Sequence, residues 1–352
     1  MNTLSLAACA VLAVFLIGQL VRRVIISRSG RNVTPENVKC IAPYPVQPIK
    51  GRERYRVMMD MRKLDMENWL TIDKYYMDEH RVRSKLLEKE KSKVLQCLPE
   101  SYEGCMEMLE EVVEFLCRQF PNVFECRKHG NETTVYNRMT GETFVFGTDN
   151  DQIGPLEIAV RLTMEDLSVL MKNSDGEYYL AASASLFPVG WTVEERIGWT
   201  ISKLHDPVPL WHQQVASSVS KFLGRLTPAS PMERSNYFIE VRRPNEELLE
   251  TLYRPNGLVE EGMDLSPRDI IIRRERQTFR RLPRSDTIAF GVKTFLTTLD
   301  ELPLEELKNL EKEIKSWPDF VGEYKGKAVW GAKALEFCKE RTKMLGCEKV
   351  EV

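Results

Sequence analysis

The sequence predicts an α+β fold: an antiparallel sheet core with flanking helices, preceded by one apolar N-terminal span. Three observations predict it. Helical periodicities cluster towards the two ends of the chain, strand-like alternation with turn signals fills the middle, and residues 4–21 form an apolar run without a charged side chain. Helices segregated from hairpin-like strands favour α+β over an alternating β/α wrap.

The N-terminal run reads "LSLAACAVLAVFLIGQLV". About 18 residues at 1.5 Å each reach roughly 27 Å, enough for a thin bilayer core. A cleavable leader carries basic residues ahead of its apolar stretch. Here Arg22, Arg23, Arg28 and Arg31 come after it instead. Residues 1–22 therefore read as a signal-anchor transmembrane helix. The positive-inside bias places the rest of the chain in the cytosol, on the endoplasmic reticulum as the expected membrane. Residues 23–50 carry four prolines in "NVTPENVKCIAPYPVQPIKG" and read as a Pro-rich tether.

The expected body of the protein spans residues 51–300, with a helical extension over 301–352. "TIDKYYMDEHRVRSKLLEKEKSKVLQCL" has apolar residues at helical spacing among dense charges, a surface helix in which His80 is solvated. "GCMEMLEEVVEFLCRQF" (104–120) stacks Met106, Leu109, Val112, Val113, Leu116 and Cys117 on one helical face. "PNVFECRKHGNETTVYNRMTGETFVF" alternates as a hairpin, with His129 beside the turn at Gly130. "PLEIAVRLT" and "YYLAASASLFP" read as strands. "TVEERIGWTISKL" opens on a capping box of Thr192 and Glu195. An amphipathic helix comes next at 210–226, then strands at 235–241 and 286–299, and helices in "LEELKNLEKEIKSW" and "GAKALEFCKERTKML".

Composition narrows the function. The chain has 352 residues, is 43% hydrophobic, and carries a net charge of −2 from 50 basic and 52 acidic side chains. That balance leaves no electrostatic footprint for nucleic acid. Eight cysteines without a C-x-x-C pair fit no zinc pattern and read as reduced thiols. Dinucleotide, P-loop, nucleophile-elbow and H-E-x-x-H signatures are all absent from the sequence. Two stretches remain. "ASASLFPVGWTVEERIGWTISKLHDPVP" (182–209) holds His205, and "IIIRRERQTFRRLPRSDTIAFGVKTFL" (270–296) holds arginines 273, 274, 276, 280, 281 and 284. The plain reading of the arginine run is a solvated basic edge or a surface against anionic head groups. The functional reading is an anion clamp, because guanidinium forks match carboxylates. For His205 the plain reading is a helix-end histidine favoured by the macrodipole.

Together with "MRKLDMENWLTIDKYYMDEHRVRSKLL" (61–87), "LHDPVP" (204–209) and "MERSNYFIEV" (232–241), in this order, these stretches resemble the haem-dependent oxidative N-demethylase family over roughly residues 50–300. The resemblance implies a PAS-like fold that holds a non-covalent, b-type haem through histidine. It also implies oxidation of a small amine with dioxygen, and electrons supplied by a flavin reductase and an iron–sulfur module. On this chain it makes His205 the proximal ligand of the haem iron and Arg276, Arg280 and Arg284 candidate partners of the propionates; no catalytic residue is assigned. A haem pocket needs such a nitrogen ligand together with cations for its two carboxylates. The Pro-Val-Pro run after His205 stiffens its backbone, Asp206 is a candidate outer partner, and His212 is the second choice of ligand. No flavin, ferredoxin or folate region is recognised in the sequence, so the electron-donor reductase is a separate partner. An anchor would favour a lipophilic substrate over a small amine. The expected function is thus a membrane-anchored haem-dependent oxidoreductase acting on an amine or other lipophilic small molecule. The alternatives are a haem-binding PAS-like sensor or carrier without turnover, and a scaffold without haem.

Overall fold

A computed structural model describes residues 31–148, 151–257 and 262–347. The predicted anchor at 1–22 lies outside the described residues. Among those described, no helix is long and apolar enough to cross a membrane.

Chain order begins with β1 (Arg62–Lys63), α1 (Tyr76–Lys89), α2 (Lys91–Val94), β2 (Leu95–Cys97) and α3 (Tyr102–Gln119). Two hairpins come next as β3 (Phe124–His129), β4 (Glu132–Asn137) and β5 (Thr143–Phe146), then α4 (Pro155–Leu162), β6 (Asp166–Lys172) and β7 (Tyr178–Ala184). Four short helices, α5 (Val193–Arg196), α6 (Ile201–Leu204), α7 (Trp211–Gln214) and α8 (Ala216–Arg225), lead to β8 (Met232–Val241). The long strands β9 (Ile270–Arg281) and β10 (Ile288–Thr298) precede α9 (Leu304–Lys315), α10 (Asp319–Tyr324) and α11 (Lys327–Cys347).

The fold is α+β with antiparallel sheets and flanking helices. The main sheet runs β1-β8-β9-β10-β6-β7-β2 and a small sheet runs β3-β4-β5. Because side chains alternate across a strand, the register divides the main sheet into two faces. The pairs Arg234↔Gln277, Asn236↔Glu275 and Gln277↔Val292 share one face, the upper face. Ser235↔Arg276 and Arg276↔Lys293 share the lower one.

The lower face meets α3, whose Cys105, Met108, Leu109, Val112, Phe115 and Leu116 are buried in the largest core cluster. Each such side chain contributes about 1.5–3 kcal/mol relative to exposure. The upper face is covered by the 197–226 connection, where Ile201, Leu204, Val219 and Leu223 pack on Leu170, Leu180 and Ile288. The C-terminal helices form no separate layer: Leu307, Leu310, Ile314 and Trp330 share a core with Ile239, Ile270 and Ile272.

Four expectations change. "PLEIAVRLT" is helix α4, not a strand; Pro155 sits in its first turn, Glu157 and Arg161 pair four residues apart on one face, and Leu156, Ile158, Ala159, Val160 and Leu162 are buried. The helices expected over 192–204 and 210–226 each break in two, at Gly198 (φ 79°) and at Val215. His80 is not solvated, since its Nε2 meets Glu142 at 2.7 Å. Finally, the described part of the tether is a strap: Val33, Val38 and Ile49 are buried, Lys74 N–H donates to Ile41 O, and Arg31 N–H donates to Gln119 O. Gly51 anchors this strap with φ 59°, and a Cβ there would come within 2.7 Å of the Asn309 Cα. Gly51→Ala should therefore cost about 1–3 kcal/mol, read as a lower denaturant midpoint at unchanged slope.

Candidate functional site

His205 comes directly after the last residue of α6, where a helix leaves carbonyls without partners. Its ring fills that vacancy: Nδ1 donates to Ile201 O at 2.8 Å. A carbonyl only accepts, so the proton sits on Nδ1 and Nε2 keeps its lone pair. No hydrogen bond engages Nε2 among the described residues. Burial holds the imidazole pKa below its ordinary value, the Ile201 carbonyl opposes this, and the charges of Arg234 and Arg196 add to the lowering. The ring is therefore neutral at physiological pH, the form that ligates metals.

The Pro-Val-Pro run turns the chain back over this ring. Val208 N–H donates to His205 O, and Leu210 takes φ 64°, which swings Trp211 round. The Trp211 and His205 rings stack with centroids 3.9 Å apart and planes 10° from parallel. The indole Nε1 is buried without a hydrogen-bond partner among the described residues. Asp206 is not an outer partner of His205; its Oδ1 accepts from His212 Nε2 at 2.9 Å, with both side chains more than half exposed.

Two guanidiniums on this side stand apart from the rest. Arg234 projects from β8 on the upper face, and its Nε is buried without a partner among the described residues. Arg196 closes α5 and packs over the Trp191 ring at 5.0 Å. Neither makes a side-chain hydrogen bond or an ion pair among the described residues. Burial lowers the pKa of both. Beside Arg234 on the same face, Glu275 Oε2 accepts from Gln277 Nε2 at 2.9 Å. Burial raises the Glu275 carboxyl, and Arg273 works against the rise. The Tyr324 phenol, at the end of α10, senses both Arg196 and Glu275.

The arginine run of β9 behaves differently. It is no solvated edge: Arg273 is 0% and Arg276 2% exposed, on a strand paired along its length with both β8 and β10. Arg276 lies on the lower face, with Nε on Glu233 at 2.6 Å and its guanidinium over the Tyr44 ring. Arg280 shares that face, pairing with Glu111 at 2.9 Å above the Trp69 ring. Arg284 sits in the β9–β10 turn against Glu107 and Glu110. It borders a groove of about 490 Å³ lined by Glu107, Glu110, Glu111 and Glu114 together with Arg118 and Lys128. Thus Arg276 and Arg280 are separated from His205 by the thickness of the sheet. Arg273 and Arg281 do reach the upper face, but Arg273 donates to the Phe187, Thr251 and Leu252 carbonyls, and Arg281 to those of Leu223 and Leu226.

The sequence marks His205 as a candidate and does not single out Arg234 or Arg196. The signal for Arg234 was available as alternation along "MERSNYFIEV", which puts Arg234 and Asn236 on the face opposite Glu233 and Ser235. Chemically, the upper face offers a neutral imidazole nitrogen, a fixed aromatic wall and two cations without a partner among the described residues. That donor set fits a haem, which takes one nitrogen on iron, apolar walls and cations for its carboxylates. A family model described as haem-dependent oxidative N-demethylase, alpha subunit-like, matches residues 60–335, which include every element from β1 to α10. The chain belongs to the haem-dependent oxidative N-demethylase, alpha subunit-like family.

Proposed function

We propose that this chain is a haem-dependent oxidoreductase that oxidises an amine or another lipophilic small molecule with dioxygen, drawing electrons from a separate flavin or iron–sulfur reductase. The observation that carries the reading is His205: Nδ1 tied to the backbone, Nε2 unengaged among the described residues, the ring neutral, and the guanidiniums of Arg234 and Arg196 on its side of the sheet. A PAS-like core is supported by strand order. Read from the β2 side of the sheet, the five strands β6 to β10 lie in the order second, first, fifth, fourth, third, all antiparallel, and the helical connection between β7 and β8 carries His205. We further propose that residues 1–22 anchor the chain, with the folded part facing the cytosol.

A b-type haem bound without covalent attachment would supply dioxygen activation and oxidising capacity. His205 Nε2 would hold the iron, while the Ile201 carbonyl keeps the proton on Nδ1 and sharpens the nitrogen as a donor. Trp211 fixes the ring plane and keeps water from that side of the imidazole. Gln277 and Glu275 present polar atoms on the same face, where they can orient a polar substrate group.

The test is an absorption spectrum of the purified full-length chain after haem supplementation. A Soret band of histidine-ligated haem is expected, and its absence at stoichiometric haem would overturn the proposal. With a surrogate reductase, N-methylated amines of rising lipophilicity should release aldehyde. A bound haem that yields no aldehyde from any of them would leave a sensor or carrier.

A further inference from the structure

We propose that Arg234 and Arg196, rather than the arginines of β9, form the carboxylate clamp of the upper face and take the two propionates of the haem. The inference rests on the haem-dependent reading of His205. It comes from charge accounting. Every arginine of the 273–284 run already has a carboxylate or backbone carbonyls as partners: Glu306 for Arg274, Glu233 for Arg276, Glu111 for Arg280, Glu107 and Glu110 for Arg284, and carbonyls for Arg273 and Arg281. A propionate reaching them would have to displace a partner that is itself anionic or part of the backbone.

Arg234 and Arg196 need no displacement. A buried guanidinium nitrogen without an acceptor is costly. Arg273, Arg274, Arg276 and Arg280 each have one, but those guanidiniums are already engaged by a partner. Arg234 has one at Nε and makes no side-chain hydrogen bond or ion pair at all among the described residues. It shares the upper face of β8 with Met232, which packs in one cluster with Ile197, the neighbour of Arg196, and with Ile201 and Leu204 of the helix that ends at His205. They come from different elements, a strand and a short helix, so they approach from two directions. Two carboxylates on one edge of a flat ligand call for such an arrangement. Of the carboxylates that act on Arg234, Glu275 is engaged by Gln277, and Asp60, beyond the strap, holds Lys50. Two guanidiniums without a partner among the described residues suit a dianionic ligand.

The experiment compares haem with its dimethyl ester, in which both propionates are neutral, by Soret titration of the full chain. The wild type should bind haem about ten- to a hundredfold more tightly than the ester, the range expected for charge-assisted hydrogen bonds. In Arg196→Met, Arg234→Met and the double variant, affinity for haem should fall while affinity for the ester stays, until the preference vanishes in the double variant. Arg234→Lys should restore part of it. Arg280→Met, on the other face, should keep the full preference. At saturating haem, all these variants should show the same histidine-ligated band, which separates a clamp from a loss of fold. Equal binding of haem and ester by the wild type, or an undiminished preference in the double variant, would overturn the clamp and leave the haem reading standing. No band with either porphyrin would overturn both.

Discussion

His205→Ala should abolish the histidine-ligated haem spectrum, whereas His212→Ala should leave it unchanged. Loss of a partner that merely orients a metal ligand costs roughly 10–100-fold in affinity, so loss of the ligand itself should cost more. The two histidines differ in what their ring nitrogens are doing. His212 spends Nε2 on Asp206 at the surface, with the pair exposed to solvent and worth little to stability. His205 spends Nδ1 on a helix-end carbonyl and presents Nε2 from a half-buried ring clamped by Trp211. Its helix-capping role and its ligand role are one arrangement, because the hydrogen bond that caps α6 also sets the tautomer. Capping alone is worth about 1 kcal/mol, so the variant should stay folded. Added imidazole should then rebind in the vacated space and restore the band. A His205→Ala protein with an unaltered spectrum would remove His205 from the iron, and a lost band in His212→Ala would pass the role to His212.

Much of this architecture could be read from the residues. The β3–β4 hairpin and its turn at Gly130, the capping box of Thr192 and Glu195, the stripe of α3 and the C-terminal helices all obey local rules. Helix α4 escaped because it is only eight residues long and carries the β-branched Ile158 and Val160, so its one polar pair, Glu157 and Arg161 four residues apart, was outweighed by strand propensity. Strand β9 escaped for a deeper reason. Six arginines in a row of twelve residues suggest solvent, and only the partners reveal otherwise. Glu233, Glu111 and Glu306 come from β8, α3 and α9, far apart in sequence, and nothing in their local context separates them from surface charge. The candidate site divides the same way. His205 was marked by the motif around it, but the unpaired state of Arg234 and Arg196 is a difference between the partners a guanidinium needs and those it has. It becomes visible only when every neighbouring cation has been assigned.

Lys293→Met should destabilise the protein by about 3–5 kcal/mol, a fall in melting temperature on the order of 10 °C. The Lys293 Nζ lies 2.6 and 2.7 Å from the two oxygens of Glu79, with 1% and 6% of the two side chains exposed. Removing the ammonium leaves a carboxylate buried beside β10. Burial already raises the Glu79 carboxyl, with Lys293 and Arg83 opposing it, so loss of Lys293 should raise it further. A carboxyl raised in the folded state binds more protons there than in the unfolded chain, so stability falls as pH climbs from the unfolded carboxylate value through the folded one. The variant should accordingly lose less relative to wild type near pH 5 than near pH 8, both values set on the order of the ordinary and raised carboxyl ranges. Glu79→Leu combined with Lys293→Met should recover most of the loss, because the cost lies in the orphaned charge and not in the missing attraction. A single variant as stable as wild type at pH 8 would contradict this account. Lys293 sits opposite Arg276 in the β9–β10 register, next to Val292 on the upper face. The backbone ladders of β9 with β8 and β10 set the register that aims Glu275 and Gln277 upward, and Lys293 joins β10 to α1 on the other face, so Lys293→Met should lower stability without altering the ligand band.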